Sequence, residues 1–278
     1  MEFKELGKSG HKIPMLGLGT WEIGGGFSPS TSGDAESVHA LQLGIELGMR
    51  FIDTAEMYGH GHSEEIVAKA VKSQRDNVFI ASKVSREHLH YDDVIRACES
   101  SLKRLETDCV DLYQVHWPND NIPIAETIKA LEHLAAEGKI HHIGVSNFSV
   151  QQTREAQNAL SQGRLTSNQV EYNLLDRSIE VDLLSYAEKE HITIIAYTPV
   201  AKGQIAKGGR GERWHVLDEI CSKYHRTRTQ VALNWLLAKK PVVAIPKAVS
   251  LKHVRENAGA VGWQMSSKEH DRLNEVFR

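Results

Sequence analysis

The chain has 278 residues, of which 41% are hydrophobic and 25% are charged. This composition is typical of a globular protein and excludes general disorder, and the length suits one large barrel domain as well as two smaller domains. The 33 basic residues are dispersed and face 36 acidic ones, for a net charge of -3. Because phosphate-backbone binding needs a basic excess, nucleic acid is not expected as a partner.

Short apolar runs alternate along the chain with longer stretches of helical period, which is typical of a parallel sheet. Residues 3–13 come first and predict a small hairpin that could close one end of a barrel. Eight apolar runs follow, at residues 15–18, 51–52, 78–81, 110–115, 140–145, 167–170, 193–197 and 242–245. Helices are predicted at residues 34–47, 63–71, 92–105, 124–137, 150–159, 181–189, 214–224, 229–237, 251–257 and 267–277. No linker divides the chain, so we predict one α/β domain over residues 1–278, a (β/α)8 TIM barrel with an N-terminal β-hairpin.

Local signals mark some boundaries and loops. Ser63, followed by Glu64 and Glu65, predicts a capping hydroxyl and two carboxylates at a helix N-terminus. Gly138 predicts a helix end. The glycines at residues 24–26 predict a flexible loop after the first barrel strand.

Several other protein classes are not supported. Three Gly-x-Gly sequences, beginning at residues 17, 59 and 209, each lack the third glycine of the Rossmann fingerprint, and there is no P-loop. The three cysteines form no CxxC pair, and Cys98 belongs to the apolar stripe of a predicted helix. The N-terminus has no apolar signal region, and no stretch approaches a membrane span. We therefore expect a cytoplasmic protein with no membrane partner.

Polar side chains stand where the second, third and fourth apolar runs end. They are Asp53, Tyr58, Lys83 and His116. Each alone is more simply explained as a loop or packing residue, but in a (β/α)8 barrel all four lie at the mouth where active sites are found. A lysine beside Asp53 would stay charged and would lower a tyrosine pKa from about 10 toward neutral pH. The set therefore predicts a proton donor for a carbonyl oxygen.

The motifs around these residues resemble the aldo-keto reductases. They are LGLGTW from residue 16, DTAEMYG from 53, SK from 82, DLYQVHWP from 111, GKIHHIGVSNF from 138, NQVEYN from 168, AYTPV from 196 and AIPKA from 244. The resemblance runs from the hairpin to the last helix, in order and with similar spacing. It implies a barrel that reduces aldehydes or ketones with NADPH, with a small-molecule carbonyl as its only expected partner, and a monomer is compatible with it.

The resemblance also implies roles for individual residues. Tyr58 would be the general acid, tuned by Lys83 and Asp53, and His116 would orient and polarise the carbonyl. Ser146, Asn147 and Gln169 would hold the nicotinamide carboxamide while Tyr197 stacks on the ring. The remaining cofactor-binding residues implied are Thr198, Pro199, Val200, Lys202 and Gly203 at the pyrophosphate and Lys247, His253 and Asn257 at the adenosine end. Trp21, Met57 and Trp117 would wall the substrate pocket.

The sequence departs from better-known relatives after the IPK motif. Ala248 stands where they have a hydroxyl residue, and His253 stands where they have an arginine. Because an arginine is a permanent bidentate phosphate partner, we expect NADPH to be preferred less exclusively here than in those relatives.

Three alternative functions remain open at this point. The same family includes channel β subunits that serve as cofactor-sensing binding proteins. A Schiff-base aldolase could use Lys83 as its nucleophile on the same barrel. A metal hydrolase would need His60, His62 and His116 as ligands, although no metal site is expected because no supporting carboxylate spacing is evident.

Overall fold

The structure is a computed structural model that describes all residues, 1–278. The strands are β1 Phe3–Glu5, β2 Lys12–Pro14, β3 Leu18–Gly19, β4 Phe51–Asp53, β5 Phe79–Val84, β6 Val110–Val115, β7 Ile140–Ser146, β8 Ser167–Glu171, β9 Thr193–Tyr197 and β10 Val242–Ala244. The helices are α1 Asp34–Glu46, α2 His62–Val71, α3 Tyr91–Arg104, α4 Ile124–Ala136, α5 Val150–Ala159, α6 Leu183–Glu190, α7 Gln204–Lys207, α8 Glu212–Tyr224, α9 Arg228–Leu237, α10 Leu251–Ala258 and α11 Ser267–Val276.

The eight strands β3 to β10 form a closed parallel barrel. Each strand pairs in parallel with the next one along the chain. The ring closes where Leu16 bridges Ala244, since the Gly17 amide donates to the Ala244 carbonyl at 2.8 Å and the Ala244 amide donates to the Met15 carbonyl at 3.0 Å. The predicted (β/α)8 fold with its N-terminal antiparallel hairpin is confirmed.

The first barrel strand differs from its predicted position. The run at residues 15–18 predicts a strand that ends at Leu18, whereas the ladder with β4 comprises only Leu18 and Gly19. Glycine allows the close approach of backbones here, because a Cβ on Gly17 or Gly19 would lie 2.6 Å from the carbonyl oxygen of Phe51 or Ile245. The short helix α7 was not predicted, since four residues are too few to show a helical period.

Hydrophobic side chains fill the barrel from its N-terminal end. Leu6 and Ile13 of the hairpin are fully buried. They form one cluster with residues from five barrel strands or their ends: Phe51, Phe79, Ala81, Leu112, Ile195, Val243 and Ile245. Lys4 holds the hairpin in place by donating to the carbonyls of Leu237, Lys239 and Val242, each at 2.7 Å. The hairpin thus closes the barrel end opposite the mouth at which the strands terminate.

Helix α2 begins differently from the prediction. Gly61, in the left-handed region, precedes the helix, and the helix start has no side-chain cap. Ser63 is buried and donates to Thr20 Oγ1 at 2.9 Å, while its oxygen accepts from Thr54 Oγ1 at 3.1 Å. Glu64 is buried between Arg104 and Ser82, and burial raises its pKa. The predicted capping role of Ser63 is therefore wrong, since its hydroxyl ties the helix to the ends of the first two barrel strands.

Other local predictions are confirmed. Gly138 follows α4 with a φ of +73°, and Cys98 is fully buried in the helix core. All three cysteines are free thiols. None of the helices has the length and apolar character needed to cross a membrane.

The hairpin contact predicts a stability effect. We expect Leu6→Ala to lower the free energy of unfolding by about 2–4 kcal/mol, because it leaves a cavity in the barrel interior. Leu251→Ala is the matched control, since Leu251 is 48% exposed, and it is expected to change the free energy by less than about 0.5 kcal/mol. Urea denaturation followed by circular dichroism measures both, and equal effects of the two substitutions would refute the packing role of the hairpin.

Candidate active site

A cavity of about 700 Å³ opens at the C-terminal ends of the barrel strands. Its volume lies in the range of about 300–1,000 Å³ that is common for sites binding small molecules and cofactors. Asp53, Tyr58 and His116 line it, and Lys83 lies just below its floor with no solvent exposure. The structure thus brings the four residues that were predicted from the strand ends to one place.

Asp53 and Lys83 form a buried ion pair. Asp53 is the last residue of β4 and Lys83 lies on the adjacent strand β5, so the ladder brings their side chains into contact. Lys83 Nζ donates to Asp53 Oδ1 at 2.6 Å and to the Thr54 carbonyl at 2.9 Å. The other carboxylate oxygen, Asp53 Oδ2, accepts from Gln169 Nε2 at 2.7 Å and from Gln114 Nε2 at 3.3 Å. Such partners are needed because an uncompensated buried charge is strongly destabilising.

Gln114 was not predicted as part of this site. It is fully buried, and its Oε1 has no hydrogen-bond partner. The signal was present in the sequence of β6, VDLYQV, where Gln114 alternates with Leu112 and His116 on the face that points into the barrel. A polar side chain at an inward position of an otherwise apolar strand needs a polar partner, which here is Asp53.

Tyr58 completes the environment of Lys83. Lys83 Nζ donates its third hydrogen bond to Tyr58 Oη at 3.2 Å, which leaves the hydroxyl hydrogen of Tyr58 free for another acceptor. Burial raises the pKa of Tyr58 above its ordinary value, and the nearby Lys83 ammonium offsets this only in part. The expectation that Lys83 would bring the tyrosine pKa toward neutral pH is wrong in direction for this structure, because desolvation of the phenolate outweighs the attraction of one ammonium.

The ion pair also determines the charge of Lys83. Burial alone would lower the pKa of Lys83, but the neighbouring Asp53 and Tyr58 outweigh that effect and raise it. At neutral pH the site therefore holds an ammonium, a carboxylate and a neutral phenol. The lysine is an electrostatic group here, with all three of its N–H bonds engaged.

His116 is uncharged in this environment. Burial, with a smaller contribution from the Lys83 ammonium, lowers the pKa of His116 to about 3. Its ring lies edge-on to that of Tyr58 with the centroids 5.6 Å apart. His116 Nδ1 is buried without a partner, which leaves Nε2 as the ring nitrogen available to a ligand in the cavity.

Four polar residues beside this centre form one hydrogen-bonded group. Ser146 Oγ donates to the Gln169 carbonyl at 2.8 Å, and Tyr197 Oη donates to Asn147 Oδ1 at 3.0 Å. Asn147 Nδ2 in turn donates to the His116 carbonyl at 3.0 Å. Asn147 has a φ of +62°, a conformation that asparagine tolerates better than most residues. All four residues line the cavity, as the family resemblance implied.

The far half of the cavity is bounded by the loops that follow β9 and β10. It contains all the other residues implied as cofactor contacts, namely Thr198, Pro199, Val200, Lys202, Gly203, Lys247, His253 and Asn257. Thr198, Ala201 and Lys202 have φ values of +51°, +49° and +51°. Such strained residues cluster at ligand-binding sites, where the surrounding structure holds them in place.

Aromatic side chains form the opposite end of the cavity. Trp21, Met57 and Trp117 line it as expected, and Phe27 joins them. Trp21 contacts Tyr58 and Phe27 edge-on, with centroid distances of 5.0 Å and 5.1 Å. Phe27 is 72% exposed. Sequence reasoning missed it because it follows three glycines in a segment without periodicity.

Seven further lining residues were also missed by the sequence-based prediction. They are Gly19, Thr20, Glu22, Ala206, Thr229, Ile245 and Glu256. Glu22 pairs with Lys247 at 3.0 Å. A contact between residues so far apart in the chain leaves no local signal in one sequence.

Comparisons with known proteins identify the family. The model of the aldo/keto reductase family matches residues 15–278. The methylglyoxal reductase YeaE of Escherichia coli is 37% identical over 265 residues, covering 95% of this chain and 91% of that protein. The thermostable aldo-keto reductase Tm1743, solved in complex with the inhibitor epalrestat, has a TM-score of 0.95 and 44% identity over 99% of this chain and 100% of that one.

A third relative was solved with NADP bound. The Klebsiella pneumoniae aldo/keto reductase in complex with NADP and acetate has a TM-score of 0.90 and 35% identity, covering 100% of this chain and 96% of that one. The chain belongs to the aldo/keto reductase family, and the predicted resemblance is confirmed. These relatives are oxidoreductases, and the expectation that this protein is an enzyme is confirmed.

The buried ion pair predicts a thermodynamic coupling. We expect Lys83→Met to lower the free energy of unfolding at neutral pH by about 3–5 kcal/mol, because Asp53 then keeps a buried charge without its cation. Adding Asp53→Asn to that variant should restore part of the loss. Denaturant unfolding of both single variants and the double variant measures the coupling, and strictly additive losses would show that the two groups do not stabilise each other.

Proposed function

We propose that this protein is an NADPH-dependent reductase that converts aldehydes or ketones to alcohols in a reversible reaction, with Tyr58 as the general acid. The observation that carries the proposal is the hydrogen bond from the buried, charged Lys83 to Tyr58 Oη at the floor of an open cavity. The E. coli relative is named a methylglyoxal reductase, and the K. pneumoniae relative was crystallised with NADP.

The cavity residues fit NADP(H). The amide and hydroxyl groups of Ser146, Asn147 and Gln169 suit the nicotinamide carboxamide, and the ring of Tyr197 lies beside them for stacking. Four of the six residues in the turn at 198–203 have positive φ values, and five of the six line the part of the cavity where a pyrophosphate would lie. Lys247, His253 and Asn257 would hold the adenosine end. When bound, the reduced nicotinamide supplies a hydride to the carbonyl carbon.

Tyr58 would donate its proton to the carbonyl oxygen as negative charge develops there. Lys83 stays an ammonium throughout and stabilises the phenolate that Tyr58 becomes, while Asp53 holds Lys83 in position. His116 is neutral, so we assign it the role of a hydrogen-bond donor from Nε2 that orients and polarises the carbonyl. The aromatic side chains of Trp21, Phe27 and Trp117 would shield the reacting groups from water.

The Schiff-base alternative conflicts with the state of Lys83. A nucleophilic lysine must be a neutral amine with an open path to the substrate. Lys83 has no solvent exposure, and its raised pKa keeps it charged at neutral pH. Carbonyl reduction therefore accounts for the site better than aldol chemistry.

The other two alternatives have less support. His62 is engaged by Asp34 and Glu65, and no group of three or more His, Cys, Asp or Glu side chains is arranged to hold a metal ion. A cofactor-sensing binding protein would not need the complete set of Tyr58, Lys83 and His116. Consumption of NADPH with an aldehyde distinguishes an enzyme from such a protein.

We also propose that residues 1–278 form one domain. The family match begins at residue 15, but Leu6 and Ile13 of the preceding hairpin belong to the barrel interior. The hairpin is therefore expected to fold with the barrel.

The role of Tyr58 predicts a selective kinetic defect. We expect Tyr58→Phe to lower kcat for aldehyde reduction by about 100-fold or more, the usual scale for a positioned general acid, with little change in NADPH affinity. Single-turnover kinetics and a fluorescence titration of the cofactor measure the two effects. Near-normal turnover in this variant would refute the assignment.

The raised pKa of Tyr58 predicts a particular pH dependence. Because the raised pKa means that the group retains its proton up to a higher pH than usual, kcat/KM for reduction should be nearly constant from about pH 6 to about pH 9 and fall only above the ordinary tyrosine pKa of about 10. Alcohol oxidation needs the phenolate, so its rate should rise across the same interval. His116 contributes no step there, because its pKa is about 3. A fall in the reduction rate centred near pH 7 would contradict this account.

A further inference from the structure

Lys247 has a single hydrogen-bond partner, and it is an acid. Lys247 Nζ donates to Glu22 Oε2 at 3.0 Å at the rim of the cavity. We propose that Glu22 determines how strongly this enzyme distinguishes NADPH from NADH, because its carboxylate competes with the 2'-phosphate for Lys247. This inference rests on the proposed role of Lys247 at the adenosine end.

Closure of the barrel brings Glu22 and Lys247 next to each other. Glu22 follows β3, the first barrel strand, and Lys247 follows β10, the last. The last residue of β3 also contacts the loop after β10, because the Gly19 amide donates to the Pro246 carbonyl at 3.3 Å. The pair therefore connects the two loops beside the cavity, which both side chains line.

The backbone at Glu22 belongs to a tight turn beside the cavity. Glu22 has a φ of +67° and forms a bridge with Gly25. A Cβ on Gly25 would lie 2.0 Å from the Ser28 carbonyl oxygen, and a Cβ on Gly24 would lie 2.9 Å from the Ser63 amide nitrogen. The glycine segment, which the sequence suggested to be a flexible loop, is thus a tight turn packed against helix α2.

The charges at this end of the cavity are mixed. Three basic residues, Lys202, Lys247 and His253, share it with two carboxylates, Glu22 and Glu256. A 2'-phosphate that reaches Lys247 must break the ion pair with Glu22 or approach both charges at once. The 2'-hydroxyl of NADH is uncharged, so this competition weakens the binding of NADPH but not that of NADH.

The expected size of this effect is modest. Glu22 is 59% exposed and Lys247 34% exposed, and an ion pair in contact with solvent is weak. Repulsion between the Glu22 carboxylate and the phosphate dianion adds to the cost of binding NADPH. We therefore expect Glu22→Gln, which keeps the shape but removes the charge, to tighten NADPH binding about threefold to tenfold.

The experiment is a fluorescence titration of NADPH and NADH against four forms of the full-length protein at low ionic strength. They are the wild type, Glu22→Gln, Lys247→Met and the control Glu188→Gln, which makes the same change in net charge at an exposed position outside the cavity. Glu22→Gln should lower the Kd of NADPH and leave that of NADH within about twofold, and Glu188→Gln should change neither. Lys247→Met should weaken NADPH binding by roughly tenfold or more, with little effect on NADH.

The outcomes separate this inference from the proposed function. An unchanged ratio of the two Kd values in Glu22→Gln, together with a reduced NADPH preference in Lys247→Met, overturns the role of Glu22 and leaves that of Lys247 intact. Equal tightening of both cofactors in Glu22→Gln also overturns it, because the carboxylate would then not act on the 2'-phosphate. If Lys247→Met keeps the wild-type preference, the proposed role of Lys247 fails and the inference fails with it.

Discussion

The ion pair between Lys83 and Asp53 is the interaction on which the rest of the site depends. Its two charges lie 2.6 Å apart and have almost no contact with solvent. Removing both charges from water is costly, so each needs further polar partners. Thr54 and Tyr58 provide them for the lysine, and Gln114 and Gln169 provide them for the carboxylate. These residues come from strands or strand ends on opposite sides of the barrel, so the site requires a closed ring.

Burial and the charge of Lys83 together determine the protonation states of Tyr58 and His116. Burial, with a smaller contribution from the Lys83 ammonium, makes the cationic form of His116 unfavourable, so this ring remains a neutral hydrogen-bonding group. Tyr58 keeps its proton because burial penalises the phenolate more than the ammonium stabilises it. The resting site therefore holds a phenol next to a cation. That arrangement favours proton donation once a carbonyl oxygen begins to take up negative charge, since the phenolate then forms beside Lys83.

Much of the fold could be predicted from the sequence because parallel barrel strands are short apolar runs with regular spacing. The runs at residues 110–115 and 193–197 coincide with β6 and β9. The convergence of Asp53, Tyr58, Lys83 and His116 also followed from the sequence, since the mouth of a barrel collects the residues that end its strands. The capping role assigned to Ser63 was wrong because a local motif cannot reveal that Thr20 and Thr54 would bury the hydroxyl.

Features that depend on desolvation or on distant contacts escaped prediction. The direction of the Tyr58 pKa shift depends on how completely the cavity floor excludes water. The only sign of Gln114 in the sequence is a polar residue at an inward-facing position of β6. The pairing of Glu22 with Lys247 connects the loops after the first and last barrel strands, and neither local sequence indicates this contact at the rim of the cavity.

We claim that Lys83 acts as a fixed cation beside the proton donor, and this role can be tested separately from folding. The measurement is the single-turnover rate of aldehyde reduction by the Asp53→Asn, Lys83→Met double variant preloaded with NADPH, after circular dichroism shows that the variant is folded. Removal of the cation without an uncompensated carboxylate should leave cofactor binding nearly unchanged and slow reduction by about 100-fold or more. A double variant that reduces the aldehyde within about fivefold of the wild-type rate would contradict the claim.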